Sequence, residues 1–276
     1  MVKIFGEGGQ RYPQTHDLSS MRTTLVQTDL VWEDPAANRI QFEVLLAPLA
    51  GITDLVLLPE MFTTGFSMRP EALAETMDGE TVNWMLDHAR RLDAVVCGSF
   101  ICNEAGLFYN RLIVAFPDGK TMHYDKRHRF SLAGEHKHYA MGTERLIFEW
   151  RGWRICPMIC YDLRFPVWNR QQNDRYDLIF FVANWPARRA NHWRSLLPAR
   201  SIENQAFVAG VNIIGTDGNG HEYTGDSMLL DHAGNEILPL GNQKGAYTAE
   251  LSLDDLQKYR SAFPFLDDAD LFVLNT

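Results

Sequence analysis

Two uninterrupted apolar runs constrain this chain more than any other feature. Residues 54–59 read D-L-V-L-L-P, and residues 177–184 read D-L-I-F-F-V-A-N. Runs of this kind lack the polar alternation of a solvent-facing sheet and mark strands buried on both faces. Strands of that kind need helices to cover them, and helical patterns follow both runs. Val82, Met85, Leu86 and Ala89 stand at i, i+3, i+4 and i+7, the spacing of one helix face. Strands alternating with helices predict α/β layering, with helices covering sheets. Functional residues in such folds gather at the carboxyl ends of strands.

The remaining pattern fits that layering. Further strands are expected at 22–28, 94–102, 107–116, 121–125, 145–150, 153–159, 206–214, 226–231 and 246–250. Asp34-Pro35, an N-cap followed by proline at the first helical position, opens a helix to about Gly51. Other helices are expected near 166–173, over 187–204, and over 253–262 behind the cap Ser252. Turns are expected at 117–120, 215–220 and 232–235. Residues 1–20 show no periodicity and no apolar signal-peptide region. They read as an extension or leader, leaving 21–276 as a single domain.

Composition narrows the function. A chain of 276 residues, 46% of them hydrophobic, buries roughly three-quarters of its unfolded surface and needs no staples. With 35 acidic against 26 basic residues, the net charge is −9. That balance disfavours nucleic acid or an anionic membrane as partner. No apolar stretch reaches the ~18 residues of a membrane helix. Four cysteines, Cys97, Cys102, Cys156 and Cys160, are too few for a disulfide framework and lack paired C-x-x-C spacing. A reducing, cytoplasmic setting is the simpler expectation.

Three strand ends carry reactive groups. L-L-P-E-M-F places Glu60 directly after an apolar strand, where partial burial would raise a carboxyl toward general-base range. Alone, such a glutamate as readily bonds loop amides. M-H-Y-D-K-R-H places Lys126 just past another strand, and most lysines are simply solvated. W-R-I-C-P-M-I-C-Y-D-L-R-F-P delivers Cys160 into a turn ending at Pro166, the strand–nucleophile–helix arrangement of other hydrolases. Buried, inert thiols are common, and Cys97, Cys102 and Cys156 fall inside strand patterns. Cys160 differs because its strand has ended. A free thiol has a pKa of ~8.5 and needs help to react. A carboxylate and a lysine beside it would complete acyl-transfer machinery.

These residues resemble the nitrilase superfamily of carbon–nitrogen hydrolases. The matching strings are L-P-E-M-F (58–62), Y-D-K-R-H (124–128), C-Y-D-L-R-F-P (160–166), A-N-W-P (183–186) and A-R-S-I-E-N-Q-A-F-V-A-G-V-N (199–212). E-H-K-H-Y-A-M-G (135–142) and N-W-P-A-R-R (184–189) look like its omega-amidase (2-oxoglutaramate amidase) branch. Arg129 departs from the aliphatic residue usual in relatives, which bears on loop packing rather than chemistry. The resemblance implies an α/β, four-layer α-β-β-α sandwich and a homodimer or larger homo-oligomer. It implies Glu60 as general base, Lys126 as oxyanion stabiliser, Cys160 as nucleophile and Glu135 as a second glutamate in the loop after the lysine.

The implied reaction hydrolyses the terminal carboxamide of a small keto-acid amide through a cysteine thioester, with the Tyr161 backbone N–H as second oxyanion donor. It needs no metal or organic cofactor. Arg164 is the first candidate to bind the substrate's free carboxylate, with Arg188 and Arg189 behind it. Trp185 belongs either to the pocket wall or to the core. Other amidases or N-carbamoyl hydrolases of the superfamily are the alternative. A metal-dependent hydrolase using His128, Glu135, His136 and His138 is a rival class. A catalytically silent binding protein is a third, against which the intact Glu60, Lys126 and Cys160 argue.

Overall fold

A computed structural model describes residues 19–172 and 175–274. In chain order the elements are β1 (Ser20–Gln27), α1 (Pro35–Leu46), β2 (Leu55–Leu57), α2 (Pro70–Leu73), α3 (Glu80–Leu92), β3 (Val95–Glu104), β4 (Leu107–Ala115), β5 (Thr121–Asp125), β6 (Phe148–Trp150) and β7 (Trp153–Ile159). There follow α4 (Pro166–Asn169), β8 (Leu178–Val182), α5 (Ala190–Asn204), β9 (Phe207–Val211), β10 (Ile214–Thr216), β11 (Glu222–Thr224), β12 (Met228–Leu230), β13 (Glu236–Pro239), β14 (Gly245–Ser252) and α6 (Leu253–Ala262).

Two six-stranded sheets result, ordered β14-β1-β2-β3-β4-β5 and β13-β12-β9-β8-β7-β6. Each has three parallel central strands, β1-β2-β3 and β7-β8-β9, with antiparallel neighbours at its edges. The apolar runs supply β2 and β8, and their period of two sorts side chains between layers. Leu55 and Leu57 face the second sheet, in one cluster with Ile155, Ile159 and Phe181. Val56 and Leu58 face outward onto Phe42 and Leu46 of α1 and Val82, Met85 and Ala89 of α3. On the far side α5 packs Trp193 and Leu197 against β9. The approach is close enough that a Cβ at Gly210 would meet Leu197 at 2.5 Å and Trp193 at 2.7 Å. The layers therefore run helix, sheet, sheet, helix, as expected.

Asp34 caps α1 by accepting the Ala37 N–H at 3.0 Å, and Ser252 caps α6 by accepting the Asp255 N–H at 3.2 Å. Several boundaries differ from the expectations. The first helix ends at Leu46 and tightens into a 3₁₀ turn, Ala47–Leu49, because Pro48 offers no N–H. The strand expected over 145–150 forms only at Phe148–Trp150, and α4 stops at Asn169. The helix expected from 187 begins as a 3₁₀ turn, Ala187–Arg189.

The strand expected over 206–214 breaks after Val211. The Asn212 amide turns the chain there, bonding both backbone groups of Trp185 and the Gly225 carbonyl. Beyond it β10 pairs with β11 in a separate hairpin. Turn 215–220 accordingly starts two residues late, and β11, β13 and α2 were not anticipated. Residues 1–18 lie outside the described residues, so the expected extension is untouched; Ser20 already belongs to β1.

Candidate active site

The carboxyl ends of β2, β5 and β7 open onto one cavity of about 640 Å³, whose walls include Glu60, Lys126 and Cys160. That volume lies within the range of small-molecule sites.

Glu60 sits three residues past β2 and is fully buried. The turn is locked by Phe62 N–H on the Ser99 carbonyl (3.0 Å) and Met61 N–H on Ser99 Oγ (2.8 Å). Its Oε1 accepts from Lys126 Nζ and from Asn110 Nδ2, both at 2.8 Å, and its Oε2 accepts the Asn184 N–H at 2.8 Å. The Asn184 amide also bonds the Glu60 carbonyl. The carboxylate is thus oriented by three donors, one within β4 and two just past β5 and β8.

Lys126 follows β5, and its backbone is pinned on both sides by Asn110 O and Gly142 N, each at 3.0 Å. Its ammonium lies between two buried carboxylates, 2.8 Å from Glu60 and 3.0 Å from both oxygens of Glu135. It stands 5.0 Å from the Phe66 ring centroid. Burial disfavours the ammonium, but Glu135, Glu60 and Cys160 outweigh it and hold Lys126 charged.

Cys160 begins a 3₁₀ turn, Cys160–Arg164, directly after β7, with φ at +44°. A non-glycine residue in that region is strained. Asp162 holds the turn: its carboxylate accepts from Ile159 N–H (3.0 Å), Tyr124 OH (2.8 Å) and His128 N–H (2.9 Å), and His128 Nδ1 lies 2.8 Å away. The first amides of such a turn lack internal acceptors and face outward, which leaves the Tyr161 N–H suited to a developing oxyanion. Burial pushes the Cys160 thiol well above its usual range, and the Glu60 charge adds to this while Lys126 opposes it. The group therefore rests as a neutral thiol beside a carboxylate.

Glu135 reaches the cluster from a 3₁₀ turn, Glu135–Lys137, and bonds Phe130 N–H as well as Lys126. Its carboxyl is raised above the ordinary value: burial outweighs Lys126, and Glu60 adds to the rise. The folded chain thus binds this proton more tightly than the unfolded chain. Ionised Glu135 costs stability above the folded pKa, and the cost vanishes below the ordinary value of ~4.3. Glu135→Gln is expected to raise the melting temperature at neutral pH, with the advantage fading as the pH falls into that range. Melting curves of both proteins across pH check this. A variant less stable than the parent at neutral pH would mean that attraction to Lys126 outweighs burial.

The other expected residues divide. Arg164 lines the cavity, with its guanidinium 4.7 Å from the Trp185 ring and Nη2 3.0 Å from His192 Nδ1. It pairs with neither Asp162 nor Glu60. Trp185 is both wall and core, 3% exposed, lining the cavity and packed 5.4 Å from Trp193. Arg188 and Arg189 both line the cavity. Arg129 bonds the Tyr139 carbonyl at 3.1 Å and so braces its own loop. The rival metal cluster does not assemble: Glu135 faces Lys126, His128 faces Asp162, and His136 and His138 are exposed. Among the described residues no three His, Cys, Asp or Glu side chains converge on a metal position.

Asn110, Asn184 and Asp162 were missed. Asn110 had a signal, since it interrupts an apolar strand with an amide that a sheet interior must satisfy.

The family described as carbon-nitrogen hydrolase matches residues 22–261. Omega-amidase YafV of Yersinia enterocolitica is 50% identical over 260 residues, covering 93% of this chain and 100% of that protein. The 2-oxoglutaramate amidase of Bacillus subtilis (strain 168) is 32% identical over 247 residues, covering 88% and 95%. The crystal structure of XC1258 from Xanthomonas campestris, a CN-hydrolase superfamily protein with an arsenic adduct in the active site, matches with a TM-score of 0.91 at 47% identity, covering 93% and 99%.

Proposed function

The chain belongs to the carbon–nitrogen hydrolase family and acts on amides, and from that premise we propose that it is an omega-amidase for small keto-acid amides, 2-oxoglutaramate or 2-oxosuccinamate. The observation that carries this is the meeting of a carboxylate, an ammonium and a thiol from three strand ends on one cavity wall. The names of the omega-amidase and 2-oxoglutaramate amidase relatives support the substrate class.

In this reading Glu60 accepts the thiol proton as Cys160 Sγ bonds to the carboxamide carbon. The carbonyl oxygen becomes an oxyanion, stabilised by Lys126 and the Tyr161 N–H. The intermediate collapses, the C–N bond breaks, and Glu60 passes its proton to the leaving ammonia, giving a thioester. Water then attacks the thioester while Glu60 takes its proton. The C–S bond breaks, the acid leaves, and the proton returns to sulfur. Glu135 shares Lys126 with Glu60 and keeps the ammonium charged and in place. No step calls for a cofactor.

Residues 21–276 are proposed as one domain, supported by the common core between the sheets and the family match over 22–261. Self-association is part of the proposal, supported by the family resemblance. No helix among the described residues is long and apolar enough to cross a membrane. Four cysteines that form no disulfide, three of them buried in strands, support a reducing compartment such as the cytoplasm.

Ammonia release across 2-oxoglutaramate, 2-oxosuccinamate, glutamine, asparagine and an N-carbamoyl acid tests the substrate. One of the keto-acid amides is expected to have the highest kcat/KM. Preference for the N-carbamoyl acid, or no release from either keto-acid amide, would overturn the assignment.

A further inference from the structure

We propose that Trp32 sets the length of acyl chain the cavity admits, closing its outer side as a clasp between the β10–β11 hairpin and the loop after β2. The inference rests on Cys160 as the nucleophile. It goes beyond the omega-amidase reading, because it holds for any linear amide that reaches the thiol.

Three loops meet at this indole. Trp32 lies between β1 and α1, and it lines the cavity while remaining partly exposed. Glu60 and Lys126, on the same cavity, are buried. The indole therefore stands on the solvent side of the reactive groups. Gly65, in the loop after β2, has φ at +74°, and a Cβ there would meet Trp32 Cε3 at 3.0 Å. Gly218, in the turn of the hairpin, approaches more closely. A Cβ there would lie 2.5 Å from Cγ and Nε1 of the indole. A methyl group at Gly218 would have to push the ring aside.

The frame behind the ring is fixed. Glu33 has φ at +54°, a strained conformation for a non-glycine residue, and strain of this kind collects at ligand clamps. Its N–H donates to Thr64 O at 2.8 Å, and its carboxylate accepts from Ser67 Oγ and Arg69, both at 2.6 Å. Asn38 Nδ2 donates to Val31 O at 2.6 Å and to Thr63 O at 2.7 Å, tying the two loops together.

The hairpin is less secure. It belongs to neither six-stranded sheet, pairing Ile214–Thr216 with Glu222–Thr224. A two-stranded hairpin is marginal by itself and needs something to pack on. Asp217 braces the turn from within, accepting the Asn219 and His221 N–H groups at 2.9 Å. The base is tied by Ile214 N–H to Thr28 O at 3.1 Å. The turn itself rests on Trp32.

The hairpin brings His221 and Tyr223 to the cavity wall, and the loop after β2 brings Phe66 and Met68. These two stretches of wall are thus spaced by one ring. An acyl chain with its carbonyl at Cys160 that extends toward solvent meets the indole, and a longer chain has to displace it. One extra methylene against an apolar wall costs about ten- to two-hundredfold in kcat/KM.

The test compares alkylation of Cys160 by iodoacetamide and by an iodoacetamide carrying a naphthyl ring on its nitrogen. Adducts are mapped by mass spectrometry in the parent, Trp32→Ala, Trp32→Phe and Gly218→Ala proteins. The ratio of the bulky to the small reagent's rate is expected to rise about tenfold in Trp32→Ala, with Trp32→Phe between it and the parent. Gly218→Ala should move the ratio in the same direction. In turnover, the penalty for a 2-oxoglutaramate homologue one methylene longer should shrink by about tenfold in Trp32→Ala. A ratio unchanged in both Trp32→Ala and Gly218→Ala would overturn the proposal. So would a matching rise in alkylation of the buried Cys97, Cys102 and Cys156, which general loosening would give. A parent protein that turns over no keto-acid amide, yet shows the expected alkylation ratios, would strike the omega-amidase reading and leave this inference standing.

Discussion

Cys160→Ala is expected to abolish ammonia release, while Cys97→Ala, Cys102→Ala and Cys156→Ala retain the chemistry. The four thiols differ in position, not in kind. Cys97 and Cys102 lie in β3 and Cys156 in β7, all fully buried. Only Cys160 has left its strand, and it alone lines the cavity. The Cys97 thiol is pushed well up by burial, and that of Cys102 to about 11. The carboxylates near Cys102, Asp125 and Glu104, are both paired with Arg111. Steady-state ammonia assays on the four variants, with melting curves as the check on folding, decide the point. A Cys160→Ala protein that still turns over at more than a trace would remove the nucleophile from the account.

Glu60→Gln carries the second large effect. The substitution keeps the shape of the side chain and removes its capacity to accept a proton. Proton transfer by a positioned side chain contributes typically ~10²–10⁴-fold, and here one carboxylate serves both halves of the reaction. A loss of at least ~10²-fold in kcat is therefore expected, with little change in KM. Lys126→Ala should lose roughly 10²–10³-fold as an oxyanion donor is removed. It also strands two buried carboxylates, so its melting temperature should fall further than that of Glu60→Gln, whose amide NH2 must face a donor that the carboxylate accepted. A Glu60→Gln loss below about tenfold would place the base elsewhere.

The layering was legible because it depends on period and length. The runs at 54–59 and 177–184 mark strands covered on both faces, and they became β2 and β8, whereas the stacking of sheet on sheet was implied by the family resemblance rather than by the pattern. The breaks were harder to read, because they depend on single side chains acting across the fold. Nothing local in V-A-G-V-N-I-I-G says that the Asn212 amide will bond Trp185 and Gly225 and end β9. The short strands β11 and β13 take their definition from partners rather than from their own periodicity.

The site divides in the same way. Glu60, Lys126 and Cys160 were visible because each follows a strand, and strand ends are where α/β folds expose reactive groups. Of their supports, Asn110 and Asn184 lie far from Glu60 in sequence and are revealed only when the sheets stack, while Asp162 sits in the turn of Cys160 itself and shows its role only through the distant Tyr124 and His128. The arginines show the limit most clearly. Proximity to Cys160 in sequence favours Arg164, yet the fold gives Arg164 a histidine and an indole while leaving Arg189 without a polar side-chain partner among the described residues. Which cation lacks a counter-charge is a property of the assembled cavity.

The central claim is that Cys160 carries the acyl group. The most direct measurement is mass spectrometry of protein acid-quenched during turnover of 2-oxoglutaramate, followed by digestion and mapping of the adduct. The account predicts a thioester on the peptide containing Cys160 and on no other cysteine peptide, absent from the Cys160→Ala protein. An adduct on Cys97, Cys102 or Cys156 would contradict it.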